Sequence, residues 1–349
     1  MKISIGTNIK DGPWGGGNLF AINLKDYLIS QGHKVVHNLE DNDIDIILIT
    51  EPRKTSESSA FNHQDVLKYL RFVNYESLVF HRINECDERK GTNYVNKYLI
   101  NANKVADGTI FVSDWIKNLY IDQGLVSPIL KTIKAGANTN IFNNKNYVLW
   151  NKKEKIRITT HHWGANWNKG FKIYKLLDDL LIDENWRDKI EFNYIGNLPQ
   201  KFKFYNTNVI PPLSGIELAN EIKKNHLYVT GSINEPSGNH HIEAAQCGLP
   251  ILFLNSGGVP EYCKDYGVEF NDDNFEIKLQ EIIENYDTYV DKTKSYRFNS
   301  TKMCEDYLNF FNEYLLNKSE ILSRRDFYKS ENKFLSKYHL IKSKFLKAI

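Results

Sequence analysis

Cysteine is scarce in this 349-residue chain. Cys86, Cys247, Cys263 and Cys304 are its four, no two of them form a C-x-x-C pair, and their spacing fits no zinc pattern. The expectation is reduced thiols in a cytosolic protein. Long apolar runs are missing too. None approaches the ~18 residues of a membrane-spanning helix, and Asp43 and Asp45 punctuate even Ile44–Ile49. The first ten residues, MKISIGTNIK, contain no apolar core of a signal peptide. An excess of one charge is lacking as well: 45 Lys/Arg stand against 43 Asp/Glu, a formal +2. Nothing global therefore points to nucleic acid. These absences together predict a cytoplasmic protein, at most peripheral at the inner membrane face.

What is present is an ordinary globular balance, 41% hydrophobic and 25% charged. At this length that supplies two sizeable cores and predicts two domains. Charge is spread unevenly. From Lys318 to Ile349 there are nine Lys/Arg and three Asp/Glu. Phe334, Tyr338, Ile341 and Phe345 fall on one helical stripe there, with Lys333, Lys337, Lys342, Lys344 and Lys347 around it. This 318–349 tail reads either as a helix packed on the protein or a solvated extension, or as a basic amphipathic helix touching anionic lipid or a partner.

Short apolar runs alternate with helical patterns from the start. Lys2–Asn8, Val35-Val36, Ile44–Ile49, Leu78–Ile83 and Thr109–Val112 read as strands. Gly17–Gln31 reads as an amphipathic helix stopped by Gly32, and Ser113 caps a helix beginning at Asp114. After a polar break at Asn143–Lys155 the alternation restarts. Strands are predicted at Ile156–Thr160, Ile190–Ile195, Leu227–Thr230 and Pro250–Leu254. Helices are predicted at Phe171–Leu181, Ile216–Lys224, His240–Cys247 and Phe275–Glu284. Two such blocks imply an α/β fold with two Rossmann-like parallel-sheet domains facing a cleft, and a C-terminal helical extension. The boundaries are placed at 1–145, 146–317 and 318–349, with the last helices free to return to the first domain.

The chemistry concentrates at NEPSGNHHIEAAQCGLP, from Asn234. Pro236 and Gly238 force a turn after a strand, and a helix starts near Asn239. Its first amides lack intrahelical partners and carry the positive end of the dipole, which suits a phosphate or a sugar hydroxyl. Gly238 lets backbone approach a ligand without a Cβ. Glu235 and Glu243, eight residues apart, put one carboxylate before the turn and one in the helix. Each accepts several hydroxyl hydrogen bonds. His240 and His241 are adjacent on this helix and point ~100° apart, which does not favour chelation of one metal ion.

The same stretch resembles the retaining glycosyltransferases of family 4, which have the GT-B fold. The matched pattern is Glu235, seven residues, Glu243, then Cys247-Gly248-Leu249-Pro250, the apolar Ile251–Leu254, and Gly257-Gly258-Val259-Pro260-Glu261. The resemblance implies that Glu235 contacts the donor sugar and Glu243 the ribose. The amides of Ser237, Gly238, Asn239, Gly257 and Gly258 would lie near the sugar or diphosphate. Ser237 and Asn239 replace the apolar residues common in the family, a change that bears on donor-sugar choice.

Further segments fit the resemblance more loosely. Gly12-Pro13-Trp14-Gly15-Gly16-Gly17 is similar to the N-terminal glycine loop that borders donor and acceptor, which makes Gly15, Gly16 and Gly17 donor-binding candidates. A dinucleotide loop would need glycine where Phe20 stands. Lys169-Gly170 resembles the Lys-Gly whose cation neutralises the leaving diphosphate. Relatives carry an Arg about five residues earlier; here Gly164 stands there, and His162 or the loop amides are the candidate substitutes. His81 is the candidate for a histidine facing the donor sugar, with Asn84 and Asp87 beside it. Lys134–Phe142 is similar to the family's junction between domains.

The resemblance thus implies a hexosyltransferase that moves a hexose from a nucleoside diphosphate to a hydroxyl with retention, with 1–145 as the acceptor domain and 146–317 as the nucleotide-sugar-binding domain. Glu235, His81 and Lys169 would be catalytic. The donor would be a co-substrate, with no separate cofactor and no metal, and the acceptor a glycan, lipid or small molecule. A degenerate nucleotide-sugar-binding module and a nucleotide-sugar epimerase of the same fold are the alternatives.

Overall fold

β-Branched and aliphatic runs too short to form stable helices pair instead into two parallel sheets, each six strands wide. The computed structural model describes residues 1–10, 12, 15–325, 327, 334, 337–339 and 341. The first sheet contains β1 (Lys2–Ile5), β2 (Lys34–Val36), β3 (Ile46–Ile49), β4 (Leu78–Ile83), β5 (Gly108–Phe111) and β6 (Leu130–Thr132), in the order β2-β1-β3-β4-β5-β6. The second contains β7 (Ile156–His162), β8 (Ile190–Gly196), β9 (Asn208–Ile210), β10 (Leu227–Thr230), β11 (Ile251–Leu254) and β12 (Gly267–Phe270), in the order β12-β11-β10-β7-β8-β9. The α/β prediction of two parallel-sheet domains holds. Strand order reverses between β1 and β3 and between β7 and β10. Loops at the carboxyl ends of strands flanking such a reversal form the crevice where α/β folds take ligands. The loops after β7 and β10 are those that carry Lys169 and Glu235.

Each sheet is buried on both faces. In the first, Ile3, Ile5, Leu48, Phe80 and Ile110 meet Leu24 and Leu28 of the helix Gly16–Ser30. The same core takes Tyr307, Phe310 and Phe311 from the helix Ser300–Leu316. Phe310 meets Phe80 edge-on with centroids 4.7 Å apart, and Tyr307 lies 5.1 Å from Phe20. So the chain leaves the first sheet, builds the second and returns.

The two crossings lie side by side. Ser300 N donates to Ala137 O at 2.8 Å, and a Cβ on Gly136 would fall 2.2 Å from the Asn299 carbonyl. Only glycine permits that approach. After the return helix, Arg325 is buried against Asp107, with Nε–Oδ1 at 2.8 Å and Nη2–Oδ2 at 2.7 Å. It also donates to the Tyr75 and Ser77 carbonyls.

Much of the basic tail, including Lys333, Lys342, Lys344, Phe345 and Lys347, lies outside the described residues, as do Pro13 and Trp14 of the first glycine loop. Among the described residues no helix is long and apolar enough to cross a membrane.

Candidate functional site

Glu235 follows β10 in a turn that its neighbours leave little freedom. Asn234 adopts a left-handed φ of 51°, and its amide donates to Ser256 Oγ at 2.9 Å. Gly258 N donates to Glu235 O at 2.9 Å. A Cβ on Gly257 would strike the Glu235 backbone at 2.6 Å, and one on Gly258 would meet Pro236 O at 2.2 Å. The Gly257-Gly258 loop is therefore a bed under the Glu235 turn. Of the two amides expected near a donor, that of Gly258 serves the Glu235 carbonyl.

The Glu235 side chain is buried, and two cations reach it from opposite sides of the cleft. Lys169 Nζ donates to Oε2 at 2.6 Å and Arg89 Nε donates to the same oxygen at 3.3 Å. Lys169 ends a short 3₁₀ turn, Trp167–Lys169, in the second domain. Arg89 sits in the helix Asp87–Lys90 of the first. Burial by itself would raise the Glu235 carboxyl pKa. The Arg89 and Lys169 charges overcome that and hold it well below its ordinary range. Burial pulls the Lys169 ammonium down, and Glu235 opposes it.

Glu85 completes the network. It accepts two bonds from Arg89 Nη1, both 3.0 Å, and pairs with Lys90 at 2.9 Å. Arg89 is the functional residue that sequence reasoning missed. The only local signal was the run Glu85-Cys86-Asp87-Glu88-Arg89-Lys90, with its i, i+4 pair, at the end of a strand. Asp87 is structural: its carboxylate accepts from Thr92 Oγ1 and from the amides of Tyr94, Val95 and Asn96.

The helix Asn239–Gln246 begins beside Glu235, with Gly238 at a φ of 75°. A Cβ there would lie 2.6 Å from the His241 ring, so the turn needs glycine. Across the cleft, Gly16 meets Asn239: its added Cβ would be 3.0 Å from Asn239 Nδ2. The first glycine loop and the helix start are thus in contact, whereas Gly15 and Gly17 have open space beside them. Glu243 lies one turn into this helix, buried, and its Oε2 meets His161 Nε2 at 2.9 Å.

Two candidate histidines lie in buried surroundings. His162 was a candidate cation for the diphosphate. It is buried, its Nε2 meets Tyr174 OH at 2.7 Å, and its ring packs edge-on against His240 at 4.6 Å. Burial holds its pKa well below the ordinary value, so the ring is neutral. His81 was expected to face the donor sugar. It is fully buried, and its Nδ1 meets Asn103 Oδ1 at 3.0 Å, which Thr109 also bonds. It shares no hydrogen bond with Glu235, Lys169 or Arg89 among the described residues. His81 lies within β4 and His162 ends β7, and both rings are buried. Among the described residues no group of three His, Cys, Asp or Glu could hold a metal ion.

A second contact ties the halves together. The Glu261 carboxylate accepts from the amides of Asp114 at 2.8 Å and Trp115 at 2.7 Å, the first turn of the helix Asp114–Asp122. It also pairs with Lys134. A carboxylate at a helix start satisfies orphan amides and the positive dipole end together. Tyr262 adds a bond from its hydroxyl to Val112 O. So the far end of the Glu235–Glu261 stretch is an interdomain clamp, a role its spacing did not disclose.

Residues 200–299, which include Glu235 and the clamp, match the family model described as glycosyl transferases group 1. No curated protein matches the chain. Among solved structures, a glycosyltransferase from Rickettsia africae is similar with a TM-score of 0.65 at 14% identity, over 90% of this chain and 99% of that one. Anabaena HepE in complex with UDP-glucose gives 0.65 at 12%, over 90% and 100%. A sucrose-phosphate synthase from Thermosynechococcus elongatus gives 0.62 at 12%, over 90% and 99%. These likenesses establish the fold: the two facing parallel-sheet domains are arranged as GT-B.

Proposed function

We propose that this chain is a glycosyltransferase that moves a hexose from a nucleoside-diphosphate sugar to an acceptor hydroxyl with retained configuration. One observation carries the reading. A buried carboxylate, kept ionised by two cations, lies beside a helix start in the cleft of a GT-B fold. The family match over 200–299 and the UDP-glucose complex of a protein of this fold support it.

In the proposed reaction the donor's diphosphate lies toward Lys169 and the amides at Ser237–Asn239. As the bond from the anomeric carbon to the diphosphate oxygen breaks, negative charge grows on that oxygen. Lys169 stabilises it through a preorganised contact that needs no reorientation of water. Positive charge grows on the sugar, and the anionic Glu235 stabilises it at close range in a site of low dielectric. The acceptor oxygen then bonds the anomeric carbon from the face the diphosphate leaves, and the acceptor proton passes to the departing phosphate oxygen. Glu243 holds the ribose hydroxyls after exchanging its His161 contact for them. No metal ion takes part. The basic residues that follow the buried Arg325 touch anionic lipid, and liposome co-sedimentation of the intact chain against one ending at Arg325 tests that; equal binding removes it.

The test of the main reading is turnover. The intact chain is incubated with UDP-, GDP- and ADP-hexoses and cell-derived acceptors, and nucleoside diphosphate release and glycosylated product are followed. One donor should yield product, and Glu235→Gln should lower the rate by about 100-fold or more. Donor binding without product under every condition would leave only a binding module. Conversion of donor to an epimer without acceptor would replace the reading with the epimerase.

A further inference from the structure

Lys169 is the one cation that the β7 loop offers the cleft. From Trp163 to Asn168 the loop contains no Lys or Arg, and His161 and His162 are occupied by Glu243 and Tyr174. A diphosphate brings about two negative charges into this site. Lys169 alone, facing Glu235, leaves that charge uncompensated.

The missing cation comes from the other domain. Arg89 reaches the same Glu235 oxygen as Lys169. Its approach is fixed by the residues next to those two. Asn168 Nδ2 donates to Arg89 O at 3.0 Å, and Asn234 Nδ2 donates to Glu88 O at 3.3 Å. Thus the side chain preceding Lys169 and the one preceding Glu235 both hold the backbone that presents Arg89. Its guanidinium uses Nη1 on Glu85 and Nε on Glu235, and no described residue bonds its Nη2. A guanidinium is a planar fork with donors to spare, suited to phosphate oxygens.

We propose that Arg89 is a ligand of the donor diphosphate, delivered by the first domain, so that the phosphate grip is complete only when the two halves are closed. The proposal rests on the glycosyltransferase reading and adds the phosphate ligand that reading lacks. In it, Lys169 and Arg89 turn part of their hydrogen bonding from Glu235 to the diphosphate, which frees Glu235 to face the sugar. Coupling follows: a donor closes the cleft, and an open cleft grips the donor weakly.

The test separates phosphate affinity from nucleoside affinity. Calorimetry of the intact chain is run with UDP, GDP and ADP, and with uridine, guanosine and adenosine as diphosphate-free controls. For the nucleotide that binds wild type, Arg89→Ala should weaken the diphosphate by roughly 10- to 100-fold, as loss of a charge-assisted contact does. The matching nucleoside should bind within about twofold of wild type, since it makes no phosphate contact. Arg89→Lys, which keeps the charge without the fork, should recover part of the loss. Equal diphosphate binding by wild type and Arg89→Ala overturns the proposal while leaving the glycosyltransferase reading intact. So does an equal loss of nucleoside and diphosphate, which marks a structural role. Wild type that binds none of the three diphosphates removes both.

Discussion

Replacing Gly258 by alanine tests how tightly the Glu235 turn is placed. A Cβ at 258 would lie 2.2 Å from Pro236 O and 2.6 Å from Ser113 Oγ. The carbonyl is backbone and cannot swing aside as a side-chain tip would. To reach an ordinary contact, Pro236 must retreat by about 1 Å. Gly258 N is bonded to Glu235 O, so the displacement passes directly to Glu235. A misplacement of that size in a reacting group costs about 100-fold in rate, or ~2.7 kcal/mol of barrier. The added methyl should also destabilise the fold by about 1–3 kcal/mol. The assay is nucleoside diphosphate release at limiting donor, with a urea unfolding curve in parallel. Activity within about threefold of wild type, with unchanged stability, would refute the reasoning.

Glu261→Gln keeps the shape of the clamp but removes its charge from the helix start and from Lys134. It should weaken closure by about 1 kcal/mol, and solution scattering should show a larger radius of gyration; superimposable curves would count against a clamp. Arg325→Ala leaves the buried Asp107 carboxylate without its cation. Urea unfolding should show a loss of about 3 kcal/mol, and a loss below about 1 kcal/mol would contradict that burial argument. Stability should also depend on acid. Burial depresses His81 to about 4, partly offset by its Asn103 bond, while an unfolded histidine titrates near ~6.5. The unfolded chain therefore takes up a proton first: the contribution is full above that pH and is lost as pH falls toward 4. At pH 5 this one ring costs ~2 kcal/mol. A melting temperature that stays level from pH 7 to pH 5 would be inconsistent with it.

The alternation of apolar runs and helical stripes was enough to read two parallel-sheet domains, because such strands are buried on both faces and announce themselves locally. The spacing of Glu235 from the turn and the helix start was legible for the same reason. Contacts between distant segments were not. Arg89 and Glu235 are 146 residues apart, and nothing in either neighbourhood states that a charged run of one domain ends against the other's carboxylate. The helix Ser300–Leu316 has an amphipathic pattern, but no pattern says which core it will join; Tyr307 and Phe310 join the first. His81 and His162 show the converse. A polar residue on a strand is compatible with a cleft or a core, and packing decides.

A glycosyltransferase cleft must take a nucleotide sugar. A thermal-shift titration of the intact chain with UDP-, GDP- and ADP-hexoses measures that directly. One donor should raise the midpoint, by the equivalent of ~2.7 kcal/mol at a hundredfold excess over its dissociation constant, and Glu243→Ala should remove most of the shift. No shift with any donor, or the same shift in Glu243→Ala, would contradict it.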